Sequence, residues 1–66
     1  MKVGIEIGGT FTDLLSVDDG GAICIEKVLS TPEDLTDGAL EGLTRLLRQA
    51  ECEAQSITQL LHGSTV

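Results

Sequence analysis

Gly4-Ile5-Glu6-Ile7-Gly8-Gly9-Thr10-Phe11-Thr12-Asp13 is the stretch whose reading decides the fold. Val3, Ile5 and Ile7 alternate with Gly4 and Glu6, the period of two that marks a half-buried strand. Gly8-Gly9 ends it, and a second extended run covers Thr12 to Val17. The order is a carboxylate near a strand end, two glycines, hydroxyls at Thr10 and Thr12, then a second carboxylate. Glycines let the backbone turn sharply and approach a ligand closely. Successive N–H groups in such a turn form an anion-binding nest. The two threonines can add side-chain donors, and Glu6 and Asp13 can hold Mg²⁺ directly or through water. Spacing alone also allows a plain hairpin turn at Gly8-Gly9. Two other phosphate-binding loops are excluded. GxxxxGK[ST] is absent, as is GxGxxG, and a strand rather than a helix follows.

Outward from this turn, Asp18-Asp19-Gly20-Gly21 is a second hairpin signal, because these residues tolerate the positive φ of tight turns. A third run, Ala22 to Leu29, puts Ile23 and Ile25 on one face and Cys24 and Val28 on the other. Three strands joined this way form an antiparallel meander. Ser30-Thr31-Pro32-Glu33-Asp34 then starts a helix, with Thr31 as N-cap and Pro32 at the first helical position. The apolar set Leu35, Ala39, Leu43, Leu46, Leu47 and Ala50 falls on one face of a helix from Pro32 to Ala50. Gly38 and Gly42 lie inside it, at about 1 kcal/mol each relative to alanine. They are either tolerated weak points or places where the helix packs closely on the sheet. Glu51 to Ser56 is a polar connector, and Ile57 to Leu61 a fourth strand. Reached through a helix, that strand should run parallel to its neighbour, the first strand. His62-Gly63-Ser64-Thr65 reads as a loop. The fold class is α/β.

Composition narrows the partners. The formal net charge of −7 repels phosphate backbones, and Phe11 is the sole aromatic residue, so nucleic acid is excluded as a partner. A bound phosphate must be held locally, by backbone N–H groups or a bridging cation. No run approaches the roughly 20 apolar residues that span a bilayer, and no targeting segment is visible. The expected location is the cytoplasm, without membrane association. Cys24 and Cys52 carry no CxxC spacing and read as reduced thiols, with a disulfide between them as the alternative. At 66 residues the chain is one small unit, burying only about 60% of its unfolded surface.

Val3 to Gly21 resembles the amino terminus of the hydantoinase A, 5-oxoprolinase and acetone carboxylase β-subunit family. The resemblance continues through Lys27 to Leu43 and ends at His62-Gly63-Ser64-Thr65-Val66, which is similar to that family's HGTTV motif. It implies a partial RNase H-like core of the actin-like ATPase superfold. By position it assigns Gly8, Gly9, Thr10 and Thr12 to the phosphate loop. It makes Asp13 the acidic residue closing that loop, and Glu6 and Asp13 the catalytic and Mg²⁺-holding candidates. Glu6 departs from the family's Asp by one methylene, and Ser64 departs mildly from Thr. His62, Gly63, Ser64 and Thr65 are placed near the cleft, without an acid/base role.

The implied cofactors are ATP and Mg²⁺. The implied partners are a small carbonyl or cyclic amide substrate, and the rest of the enzyme or a partner subunit. In such enzymes ATP activates a carbonyl oxygen, so that a ring can be hydrolysed or a carbon carboxylated. The chain holds only the first phosphate loop and is expected to be inactive alone. Two alternatives stand beside this reading: a fragment of a sugar kinase of the same superfold, and a degenerate, non-catalytic interaction module.

Overall fold

The computed structural model describes residues 1–31 and 33–64. Strands β1 (Lys2–Ile7), β2 (Phe11–Val17) and β3 (Ile23–Leu29) precede helix α1 (Leu35–Ala50), a 3-10 turn at Ala54–Ser56 and strand β4 (Gln59–Ser64). The sheet order is β3-β2-β1-β4. β1–β2 and β2–β3 are antiparallel, and β1–β4 is parallel. The fold is therefore the mixed sheet with one helix on one face that the alternation and the helix signals imply. It matches a partial RNase H-like core.

The alternation sorts the strands' residues onto two faces. Val3, Leu14 and Val28 are buried and form the core with Met1 and with Leu46 of the helix. Thr12 and Ser16 are buried on this same side. The other face carries Leu15, Ile23, Ile25, Leu29 and Leu61, all exposed. Ile23 and Ile25 thus point away from Val28, as the pattern of β3 requires.

The glycines at 38 and 42 are close-packing positions. Both are buried in α1. A Cβ on Gly42 would stand 2.4 Å from Leu14 Cδ1 and 3.2 Å from Val28 Cγ2. A Cβ on Gly38 would stand 3.1 Å from both the Leu29 carbonyl oxygen and Thr31 Oγ1. The propensity cost of each glycine is the condition for seating the helix on β2 and β3. Gly21 takes a left-handed backbone (φ 86°), and Asp18 Oδ1 accepts from the Gly20 and Ala22 amides at 2.9 Å each.

Two boundaries differ from expectation. The N-cap is Asp34, whose carboxylate accepts from the Thr36 amide at 3.0 Å. Thr31 acts one turn earlier: its backbone oxygen accepts from the Asp34 amide at 3.1 Å and its hydroxyl accepts from the Gly38 amide at 2.8 Å. That turn delays the helix to Leu35. Pro32, expected at the first helical position, lies outside the described residues. The fourth strand is also displaced: His62, Gly63 and Ser64 belong to β4, not to a loop. Parallel pairing explains the shift, because Ile5, Glu6 and Ile7 of β1 carry His62, Gly63 and Ser64 along as partners. Ile57 precedes the strand and packs against the core. Thr65, the last member of the expected loop, is outside the described residues.

Both cysteines are free thiols. Among the described residues no helix is long and apolar enough to cross a membrane.

Candidate functional site

The β1–β2 turn is short and held from behind. The Gly8 amide donates to the Phe11 carbonyl at 2.9 Å. Ser30, at the end of β3, grips the turn three ways. Its hydroxyl donates to the Gly8 carbonyl at 2.6 Å, its amide donates to the Thr10 carbonyl at 2.8 Å, and its oxygen lies 3.0 Å from Thr12 Oγ1. Thr12 is fully buried. Its hydroxyl therefore serves this internal contact on the helix side, while Thr10 and Gly9 are exposed at the tip.

Gly9 has a property the turn does not demand. Its φ lies outside the left-handed region, and a Cβ built on it would meet nothing within 4 Å. Neither local geometry nor any described neighbour calls for a glycine there.

The carboxylates sit on the helix-free face, beside the turn. Register places Glu6 opposite Asp13 on one side and opposite Gly63 on the other. Asp13 pairs with Lys27 of β3, its register partner, at 3.2 Å between Oδ1 and Nζ. The same ammonium lies 4.9 Å from the centroid of the Phe11 ring, a cation–π distance. Both members of the ion pair are more than half exposed, so the pair is weakly stabilising. Glu6 leans the other way: its Oε2 lies where a Cβ on Gly63 would come within 2.7 Å. Among the described residues no group of three or more metal-ligating side chains converges.

A trough of about 540 Å³ runs along this face, lined by Gly4, Leu15, Ile25 and Leu61, with Glu6 and Asp13 toward the turn. Gly4 leaves it open, since a Cβ there would also meet nothing within 4 Å. His62 pairs with Ile5, so it alternates with Gly63 and falls on the opposite side of β4 from Glu6. Ser64 shares that side, opposite Ile7. The structure thus gathers Glu6, Asp13, Gly9, Thr10 and Gly63 at one end of the sheet. Register puts the side chains of Thr12, His62 and Ser64 on the other face of the sheet, although His62 itself borders the trough.

Two participants were not singled out in the sequence. Lys27 could have been found by counting register back from the Asp18–Gly21 turn, which sets an opposite charge beside Asp13. Ser30 gives no such signal, because its link to Gly8 spans 22 positions and arises only in the folded sheet.

Comparison with solved structures finds the same fold in a diol dehydratase-reactivating factor, solved in nucleotide-free form. The TM-score is 0.64 at 24% sequence identity, over 94% of this chain and 12% of that one. An uncharacterized protein of Methanocaldococcus jannaschii is 36% identical over 66 residues, which is 98% of this chain and 9% of that protein. The chain thus spans only about a tenth of the length of the proteins it matches. The pattern of the family described as Hydantoinase/oxoprolinase N-terminal region matches residues 2–66, and the chain belongs to that family.

Proposed function

We propose that this chain is the amino-terminal phosphate-loop segment of an ATP-dependent enzyme of the hydantoinase/oxoprolinase type. The observation that carries the reading is Gly9: a glycine that neither its own φ nor any described neighbour requires, at the tip of a turn braced from behind. A residue kept free of a side chain where nothing inside crowds it suits a ligand approaching from outside. Phosphate oxygens against the turn's backbone are that ligand.

The residues present fit a nucleotide with its cation in a limited way. Gly8, Gly9 and Thr10 form the turn that would face the phosphates. Glu6, exposed and inclined over Gly63, would be the carboxylate that meets a magnesium ion, through water given its length. Asp13 is engaged by Lys27 through Oδ1 and would join through its other oxygen or by exchanging that partner. Thr12 contributes indirectly, through Ser30 and the turn it holds. Bound ATP would supply a γ-phosphoryl group. Transferred to a carbonyl oxygen of a cyclic amide, with ADP as the leaving group, it would make that carbonyl carbon open to attack by water. For such a transfer the chain's task is positioning and charge stabilisation. The adenosine pocket, the second phosphate loop and the substrate site belong to the remainder of the parent protein.

The test is Gly9→Ala in the full-length parent. The added methyl group meets nothing among the described residues, so the melting temperature should hold. ATP affinity should fall about tenfold or more, about 1.4 kcal/mol, because the methyl group would hold phosphate oxygens off the turn's backbone. Unchanged ATP affinity would remove the phosphate-loop reading and leave the non-catalytic module.

A further inference from the structure

Gly63 has one neighbour that explains it. Among the described residues, a Cβ built there would meet Glu6 Oε2 at 2.7 Å and Glu6 Cδ at 3.8 Å. The two residues are direct partners in the parallel β1–β4 register. The Glu6 side chain therefore lies across β4, with its carboxylate resting over the bare backbone of Gly63. On the opposite flank Asp13 is drawn toward β3 by Lys27. Two acids that are adjacent by register thus lean apart, each toward the strand beyond.

We infer that Gly63 is a positioning residue for Glu6. Its missing side chain leaves the space in which the Glu6 carboxylate sits, on the β4 side and away from Lys27. Glycine within a strand weakens it and often marks a close approach; here the approaching group is a carboxylate of the same sheet. The atom that a methyl group would displace is the free end of a flexible, exposed side chain. Substitution at Gly63 should therefore move the carboxylate without unfolding the sheet. An aspartate at position 6 ends one methylene earlier and would not need that space. Positions 6 and 63 are thus coupled: a long acid requires glycine, and a short acid tolerates alanine. The functional side of this inference rests on the reading of Glu6 as the cation-facing acid, but the coupling itself does not.

The experiment is a double-substitution cycle on the 66-residue chain: wild type, Gly63→Ala, Glu6→Asp and the double variant. Proton NMR follows the Glu6 Hγ to Gly63 Hα contact, Mn²⁺ broadening follows cation approach to residue 6, and thermal melting follows the fold. Wild type should show the contact. Gly63→Ala should displace the Glu6 side chain and weaken Mn²⁺ broadening at residue 6 about tenfold, the lower end of what supporting residues contribute to metal affinity. Its melting temperature should stay near that of wild type. In the Glu6→Asp background, Gly63→Ala should change Mn²⁺ broadening little. Absence of the Glu6–Gly63 contact in wild type overturns the inference, as does an equal effect of Gly63→Ala in both backgrounds. If the contact is present and Gly63→Ala displaces it, while Mn²⁺ leaves Glu6 sharp in wild type, the positioning stands and the cation reading of Glu6 fails.

Discussion

Gly42 of the helix lies directly under Leu14 of β2, with room between them for a hydrogen and not for a methyl group. Leu14 is almost wholly buried, so it has nowhere to retreat. Gly42→Ala should therefore destabilise the chain by about 1–3 kcal/mol through overpacking. This would occur despite a helix-propensity gain of about 1 kcal/mol. Urea unfolding of the two forms decides it; a more stable variant would mean that the helix lifts from the sheet at little cost.

Ser30→Ala should cost about 1–3 kcal/mol, because it removes the donor to the Gly8 carbonyl and strips the buried Thr12 hydroxyl of its partner. It should also speed amide exchange in the turn from Gly8 to Phe11. Hydrogen exchange read by NMR separates the two effects. Slow exchange at the turn in the variant would show that the backbone bond from Gly8 to Phe11 suffices to hold it.

The isolated chain should hydrolyse no ATP and bind it in the millimolar range or worse. One turn supplies few of the contacts needed to offset the cost of immobilising a ligand. Calorimetry checks this, and micromolar binding would mean that the turn is far more self-sufficient than its short bracing implies.

In the full-length parent, Glu6→Asp should hold or raise ATP turnover and Glu6→Ala should lower it. Magnesium demands ligand oxygens at about 2.0–2.1 Å in near-ideal octahedral geometry. Shortening the acid keeps the charge, whereas alanine removes it. Steady-state ATPase at saturating Mg²⁺ for the three forms is the measurement. Equal turnover by the alanine form would reduce Glu6 to an ordinary strand-face carboxylate.

Most of the architecture was legible because the pattern is strong. The two-residue period of Val3, Ile5 and Ile7 and the face assignment of Ile23, Ile25 and Val28 both survive in the sheet. The helix stripe centred on Leu46 does so as well. What failed was punctuation. The loop expected at His62-Gly63-Ser64 is strand because Ile5, Glu6 and Ile7 pair with it, and pairing at such a separation leaves no local trace. The helix start moved from Thr31 to Asp34 because both can cap and only the folded turn decides which caps where. At the site, the sequence placed Glu6 and Asp13 near one turn, and register confirms that they face each other. That they lean apart depends on Lys27 and Gly63, whose relation to them is a property of the sheet.

Among the described residues β4 pairs with one strand, β1. Helix α1 lies mainly over β3 and β2, and Leu60 and Leu61 are half or more exposed on opposite faces of the last strand. Its outer edge carries no neighbouring strand among the described residues. Little apolar burial and a single row of backbone bonds are the marks of a segment that opens locally, at a free energy well below that of global unfolding. Opening of the strand that carries Gly63 and His62 is expected to need less free energy than unfolding of the core around Leu14 and Leu46. The occupancy of the Glu6–Gly63 contact should then follow that local opening rather than global unfolding.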